Sequence, residues 1–344
     1  MPYSDASTSI SAAERSPQPI FLIGVCTRNR PHLLDRLLRS MAAQKLPADA
    51  DVRVLIVDNN DVLQTDRDTV DRLLPFPVTL IHAPQPSVSL ARNAILDHAE
   101  EIAADWILGV DDDGWVEEDW LTEFIQSCRA NPDKILIGNW AHVFAPDAGP
   151  LVVHSGLREL RPANAAPIPS TCNFALPRRI FDRKKGLGMR FDPAFGESGG
   201  EDVEFMRRAE RAHGITIGAA NQAVFWEERT GARARLPTYL RRYRDYQVLG
   251  YRIAQVHRHK GILPDARPLW LVVLSRTNNN LWRGLGLCLK GLLLLGSQRG
   301  KQQLLRGLEL LAAATAVFPY VFGKQPKQYG QHVPTQDQRQ TGRQ

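Results

Sequence analysis

The stretch "WILGVDDDGWVEEDW", Trp106 to Trp120, sets three aspartates side by side at the end of an apolar run and follows them with a glycine. Adjacent carboxylates repel one another, so the arrangement costs stability unless water or a positive charge sits among them. A solvated turn answers the first case and a divalent metal the second. The apolar residues before the aspartates read as a buried strand, and the same pattern recurs along the chain. "IFLIGVC" (Ile20 to Cys26) precedes "PHLLDRLLRSMAAQ", where Leu33, Leu34, Leu37, Leu38 and Met41 recur at helical spacing behind a proline suited to a first helical turn. "VRVLIVD" (Val52 to Asp58), "VTLIHA" (Val78 to Ala83) and "KILIGNW" (Lys134 to Trp140) read as further strands, with helices predicted over about 89–104 and 117–130. Near-continuous apolar strands alternating with helices predict an α/β fold, an open, mostly parallel sheet with helices on both faces.

The chain has 344 residues, 43% hydrophobic and 23% charged, enough for one large or two modest globular domains. Its net charge of +6 leans toward anionic partners such as phosphates, lipid head groups or nucleic acid. Cys26, Cys128, Cys172 and Cys288 lie far apart, with no CxxC pair and no histidine at ligand spacing. Neither a disulfide scaffold nor a zinc site is suggested, and a reducing cytosol fits. The N-terminal residues lack a basic segment followed by an apolar one, so no secretory signal is expected and the stretch reads as a disordered leader.

In open sheets of this kind ligands bind beyond the carboxyl ends of the strands. There the chain places Thr27, Arg28, Asn29 and Arg30 after the first strand, Asp58, Asn59, Asn60 and Asp61 after the second, and Asp111, Asp112 and Asp113 after "WILGV". Guanidiniums and carboxylates on one edge suit a ligand carrying phosphates together with hydroxyls or ring N–H groups. No GxGxxG follows the first strand, which argues against a nicotinamide or flavin dinucleotide. If Asp111 and Asp113 point the same way on an extended segment, they can share a hard cation such as Mg2+ or Mn2+, completed by waters and two phosphate oxygens, while Asp112 faces away. Such a metal neutralises a departing diphosphate as a Lewis acid. Gly114 permits a turn, and "DDDG" lacks the D-x-D-x-D-G spacing of an EF-hand.

The second half is less regular. "GGEDVEFMRRAERAHG" predicts a helix that starts at Glu201 and Asp202 and ends at Gly214. Acids in a first turn complement the helix dipole, but the Gly199-Gly200 pair also lets backbone and ligand approach closely. Arg229 to Lys260 is basic, with Asp245 its single acid, and interleaves Tyr239, Tyr243, Tyr246 and Tyr251. It reads either as a solvated helix face or as a surface for a pyrophosphate, an anionic membrane or RNA. From Pro268 to Gly323 the chain is apolar, yet no uninterrupted apolar run reaches the roughly 18 residues of a spanning helix. Arg276, Arg283 and Lys290, spaced as heptad repeats, would form one basic stripe on a helix. That pattern fits a helix lying in the interface of an anionic membrane and equally a helical hairpin in the core, with "TNNN" (Thr277 to Asn280) a candidate break.

Five blocks in order, "GVCTRNRP", "LIVDNND", "SLARNAIL", "ILGVDDDGWVEEDWL" and "GGEDVEFMRRAERAHG", resemble those of family 2 glycosyltransferases of the GT-A type, across roughly Ile20 to Ala220. Within that family the chain looks most like bacterial exopolysaccharide enzymes such as succinoglycan-type glucosyltransferases. The resemblance implies a Rossmann-like GT-A fold and transfer of one hexose, with inversion, from a nucleotide diphosphate sugar, expected to be UDP-linked. The acceptor it implies is a saccharide or lipid-linked saccharide at the cytoplasmic face of the membrane. It further implies that Thr27, Arg28 and Arg30 line the nucleotide pocket, that Asp58 accepts from the uracil ring N–H or a neighbouring nucleotide group, and that Arg92 approaches the nucleotide and the aspartates. Asp111 and Asp113 match the DxD motif, Asp111 near the ribose and Asp113 as the direct ligand of Mn2+ or Mg2+, with Asp112 beside them in the donor site. Asp202 matches the catalytic base, and Glu201 would hold the acceptor through a second hydroxyl. The three consecutive aspartates leave this register open by one residue. The Q-x-x-R-W motif of processive synthases does not occur, which favours one sugar per encounter.

The expected organisation is a leader over 1–18 and a catalytic domain over 19–228, its nucleotide-binding half about 19–115 and its acceptor-binding half about 116–228. A basic helical segment over 229–266, an apolar amphipathic helical region over 267–323 and a disordered tail over 324–344, rich in Gln and Pro, follow. Peripheral membrane contact is expected and nucleic acid is not. Two other readings compete. One is a nucleotidyltransferase making a nucleotide sugar, which would show a Gly-rich phosphate loop after the first strand. The other is a non-catalytic membrane or RNA-binding protein, which would bind RNA in a salt-sensitive way without turnover.

Overall fold

The computed structural model describes residues 18–155, 159–162, 164–196, 199–263 and 268–317. The tail over 324–344, all but the last residue of the leader, and the end of the apolar region beyond 317 lie outside the described residues.

The first half builds a parallel layer. β1 (Ile20–Thr27), β2 (Asp51–Asp58), β3 (Val78–His82) and β4 (Trp106–Asp111) pair in parallel in the order β3-β2-β1-β4. Parallel neighbours require crossovers, supplied here by α1 (Pro31–Ala42), α2 (Arg67–Leu73) and α3 (Val88–Glu101). Each strand is covered on both faces, which is why these strands are apolar almost without interruption. Phe21, Ile23 and Val25 of β1 meet Leu34, Leu37 and Met41 of α1 in one core. Leu22, Leu55 and Val57 meet Ile95 and Leu96 of α3 in the other. The helix predicted to reach residue 104 stops at Glu101, and Ala103 takes a left-handed φ of 53°.

Beyond β4 the sheet changes direction. β7 (Asn173–Pro177) is antiparallel to both β4 and β6 (Ile135–Phe144). β8 (Ile217–Arg229) runs parallel to β6 and carries the short β5 (Gly114–Val116) at its outer edge. The result is an 8-stranded sheet in the order β3-β2-β1-β4-β7-β6-β8-β5. The predicted α/β class and parallel sheet are present, with an antiparallel seam at β7. Gly114, expected in a turn, opens β5, and the helix expected from residue 117 begins at Trp120 as α4 (Trp120–Ala130). The short α5 (Arg178–Phe181) and α6 (Glu201–His213) complete the covering of the second face. α6 ends at Gly214 as its sequence predicts, with φ at 63°.

Three helices follow the sheet: α7 (Leu236–His259), α8 (Leu269–Leu293) and α9 (Gln298–Ala316). The basic segment is not helical throughout, since Arg229 closes β8 and α7 starts only at Leu236. The predicted break at "TNNN" is not there either. α8 runs unbroken through it, and Asn278 Oδ1 accepts from Trp282 Nε1 one turn on, at 3.0 Å. Among the described residues no helix is long and apolar enough to cross a membrane, and the four cysteines are free.

α7 is fastened to α6 by a buried polar network. His257 and Glu204 are both fully buried, with His257 Nε2 3.1 Å from Glu204 Oε1. Arg211, which has only donors, reaches His257 Nδ1 at 3.1 Å, so that nitrogen accepts and Nε2 donates to Glu204. Arg208 grips both oxygens of the same carboxylate at 2.8 and 3.0 Å. Burial alone would raise the Glu204 carboxyl, but the His257 and Arg208 hydrogen bonds outweigh it and bring it down to about 2. A fall from 4.5 to about 2 corresponds to roughly 3 kcal/mol of stability. Because the folded value lies below the unfolded one, this contribution is complete above pH 4.5 and is lost as the pH falls toward 2. Glu204→Gln is expected to lower the melting temperature at neutral pH and to flatten its decline between pH 4.5 and 2 in circular dichroism melts. Parallel curves for variant and wild type would show that the network contributes nothing.

Candidate active site

β1 lies between β2 and β4, and its register sets Thr27 opposite Asp58 and Cys26 opposite Asp111. The three strands therefore end at one level, and the residues that follow them share one edge. Asp112 is buried there and accepts from the Thr27 hydroxyl at 2.7 Å and from Arg30 Nη1 at 3.0 Å. The same Arg30 nitrogen is 3.0 Å from Asp113 Oδ2, and Arg233 Nη1 lies 3.6 Å from that oxygen. Thr27, Arg30, Asp112 and Asp113 are thus brought together.

Arg92 comes to this edge from α3. It donates to Asp111 Oδ1 at 3.1 Å and to Glu201 Oε1 at the start of α6. Burial works against its charge, yet Glu201 and Asp111 outweigh that and hold its pKa above the ordinary value. Burial pushes the Asp111 carboxyl up to about 7, opposed by Arg92 and reinforced by Asp113 and Asp112. Burial likewise raises Glu201, against the pull of Arg92, and its second oxygen, Oε2, is buried without a hydrogen-bond partner among the described residues. Asp202, next along, is half-buried, accepts from the Val203 N–H at 2.7 Å and adds to the field that acts on Arg92. The turn into α6 requires glycine at Gly200. Its φ is +87°, and a Cβ there would meet Leu249 of α7 at 2.2 Å.

Asp58 sits at the same edge but is fully buried, and its carboxylate serves its own loop. Oδ1 accepts from the Asn60 N–H and side chain at 3.0 and 2.7 Å, and Oδ2 from the Gln64 N–H and from the Thr65 N–H and hydroxyl at 2.8 to 2.9 Å. Those bonds saturate the acceptor capacity of the carboxylate and hold its pKa low despite burial. Arg28 stands at the rim, 3.3 Å from the exposed Asp61. Between α1 and the loop held by Asp58 lies a cleft of about 170 Å³, lined by Thr27, Arg30, Leu34, Asn60, Gln64 and Thr65 among others.

Sequence reading missed a second cluster beside Asp113. β6 and β8 pair His142 with Glu227, and β5 sets Gly114 opposite the same Glu227. His142 Nε2 and Arg229 Nη2 each lie 3.0 Å from Glu227 Oε2, and Arg233 Nη1 is 3.9 Å from Oε1. Burial raises Glu227, but the His142 hydrogen bond and Arg229 outweigh it and lower its pKa. Arg229 and Arg233 are visible in the sequence only as members of a basic run, and nothing marks Glu227 or His142. Their partnership depends on strand register across 85 residues.

The sequence matches the family model "Glycosyl transferase family 2" over residues 22–183. It is also 34% identical over 240 residues to the succinoglycan biosynthesis protein ExoM of Rhizobium meliloti, an overlap of 68% of this chain and 75% of that protein. The chain belongs to glycosyl transferase family 2. It is therefore a glycosyltransferase, and the nucleotidyltransferase and non-catalytic readings are set aside. Among solved structures it is similar to the mannosyltransferase PcManGT from Pyrobaculum calidifontis in complex with GDP-Man and Mn2+, with a TM-score of 0.48 and 18% identity over 90% of this chain and 77% of that one. It is also similar to S. aureus TarS 1-349 in complex with UDP, with a TM-score of 0.46 and 14% identity over 89% of this chain and 93% of that one.

The Arg92 bridge yields a stability prediction for this transferase. Arg92→Met leaves Glu201 buried and unpaired and is expected to cost about 3 kcal/mol or more in urea denaturation. Adding Glu201→Gln should recover part of that loss, because the stranded charge is then removed. Strict additivity of the two substitutions in a double-mutant cycle would show that the pair is not coupled.

Proposed function

We propose that this glycosyltransferase moves one hexose, with inversion, from a nucleotide diphosphate sugar, UDP-linked, to a saccharide or lipid-linked acceptor in exopolysaccharide biosynthesis. The observation that carries the reading is the joining, through Arg92, of the aspartates at the sheet edge to the acidic start of α6. The identity to a succinoglycan biosynthesis protein supports the pathway class. Peripheral contact at the inner face of the cell membrane would bring the enzyme to a lipid-linked acceptor.

In this reading the nucleotide enters the cleft beside Thr27 and Arg30, and Arg28 closes its rim. Asp58 acts through the loop it holds. The Arg30, Arg92 and Arg233 guanidiniums stand where a diphosphate would bring negative charge. Asp111 and Asp113 would hold a hard divalent cation such as Mn2+ or Mg2+ through their carboxylate oxygens, in exchange for the guanidiniums of Arg30, Arg92 and Arg233 that they pair with. Among the described residues no three His, Cys, Asp or Glu side chains are gathered to hold an ion. Water and substrate phosphate oxygens would complete the coordination of such a cation. When bound, such a cation stabilises the charge of the leaving diphosphate.

Asp202 takes the proton of the acceptor hydroxyl as its oxygen bonds to the anomeric carbon. The bond from that carbon to the diphosphate breaks on the opposite face, and its electron pair leaves with the diphosphate. Glu201 Oε2, buried and without a hydrogen-bond partner among the described residues, would accept from a second acceptor hydroxyl.

Calorimetric titration of UDP-, GDP- and dTDP-sugars with and without Mn2+ tests the donor reading. Metal-dependent binding of a UDP-sugar is expected, and binding of none of them overturns it. Asp202→Asn is expected to leave donor affinity unchanged and to slow transfer by about 10²- to 10⁴-fold. A variant with full transfer would remove Asp202 from the role of base.

A further inference from the structure

The loop that Asp58 holds forms one wall of the cleft of about 170 Å³ beside Thr27 and Arg30. Apolar side chains line it as well, Leu34 and Leu38 from α1 and Val70 and Leu73 from α2. Apolar walls with a few polar groups suit a flat ring that is apolar on its faces and polar at its edge. The side chain that orients such a ring must have hydrogen-bonding capacity to spare. Asp58, which the family resemblance assigns to the uracil ring, has none, because its own loop saturates both oxygens.

The neutral polar side chains around the cleft are committed too. The Thr27 hydroxyl donates to Asp112, that of Thr65 to Asp58 and that of Thr69 to Asp66. Asn60 donates from its side-chain nitrogen to Asp58, and its oxygen accepts from the Asn29 N–H. Gln64 differs. Its Oε1 accepts from nothing among the described residues, and its Nε2 donates one hydrogen to Asn29 Oδ1, 3.3 Å away, which leaves the other. Gln64 is also held in place. Its backbone N–H and that of Thr65 donate to Asp58 Oδ2 at 2.9 and 2.8 Å. Asn29, which anchors the amide, has a left-handed φ of 55°, and its N–H donates to Asn60 Oδ1 at 2.7 Å. Backbone in such sparsely populated regions clusters at ligand sites.

We infer that Gln64 reads the base of the donor nucleotide. Its carboxamide sets an acceptor beside a donor, which matches the imide edge of uracil: Oε1 accepts from the ring N3–H, and the spare Nε2 hydrogen donates to an adjoining ring carbonyl. Asn29 is a positioning residue, because its side-chain oxygen fixes which way the amide is turned. Asp58 serves the base at one remove, by holding the backbone that carries Gln64. The role rests on the nucleotide diphosphate sugar reading, and adds to it the side chain that selects the base.

Calorimetric titration of UDP and GDP in the presence of Mn2+, with Gln64→Leu and Gln64→Glu beside the wild type, tests this without turnover. Gln64 is exposed, so both variants should melt as the wild type does. Gln64→Leu is expected to weaken UDP by about 10-fold or more. Gln64→Glu offers two acceptors and no donor. Uracil presents it with one N–H between two carbonyls, whereas guanine presents N1–H and N2–H side by side. The ratio of GDP to UDP affinity, in which the effect of the added charge cancels, should therefore rise by about 10- to 100-fold. Unchanged UDP affinity in Gln64→Leu, or an unmoved ratio in Gln64→Glu, overturns the role of Gln64 and leaves the donor reading standing. Binding of no nucleotide by the wild type overturns both. Asn29→Gly keeps the left-handed backbone and removes the anchor. It should weaken UDP in the wild-type background but not beside Gln64→Leu, and equal weakening in both would remove Asn29 from its positioning role.

Discussion

Arg92 leaves α3 and reaches two carboxylates that belong to different halves of the fold, Asp111 at the end of β4 and Glu201 at the first position of α6. Arg92 and Glu201 are largely withdrawn from water while Asp111 is partly exposed, and a guanidinium so placed is costly unless its partners stay ionised. Burial pulls those partners the other way, toward their neutral forms. The triad is therefore held by competition between desolvation and pairing. Its geometric consequence is that the aspartate run and Asp202 share one neighbourhood, which neither β4 nor α6 could arrange alone.

A second set of contacts fixes α6 from behind. Gly200 takes a left-handed conformation directly against Leu249 of α7, and His257 of α7 holds Glu204 one turn into α6. The position of Asp202 is thus set by three elements: α3 through Arg92, α7 through Leu249 and His257, and the sheet through the core around Phe205 and Met206. The other flank of the site depends on the reversal of direction at β7. That reversal places β8 beside β6 and β5 beside β8, and so brings Glu227, Arg229 and Arg233 to Asp113.

The α8–α9 hairpin follows a different packing rule. Its inward faces are small enough for backbones to touch, and its leucines are spent on the outside. Glu309 and Arg306 of α9 join it to Tyr239 and Tyr243 of α7, the helix that also steadies α6.

The sequence by itself determined the parallel layer, because strands buried on both faces must be continuously apolar and the helices between them must carry one apolar stripe. For the same reason it located Thr27, Arg30 and Asp111 to Asp113, since residues just after such strands share the sheet edge. The end of α6 at Gly214 was also local, a matter of one left-handed residue. Tertiary structure alone decided the rest. β5, β7 and β8 are short, interrupted or partly polar, and only pairing with neighbours far away in the chain makes them strands. The unbroken course of α8 through Thr277 to Asn280 overrides the weak helix propensity of asparagine with packing against α9. Above all, the bridging of Asp111 to Glu201 by Arg92, and of Asp113 to Glu227 by Arg233, joins residues from separate elements. Charge pairs of that kind leave no periodic trace in a sequence, because they are selected by distance in the fold.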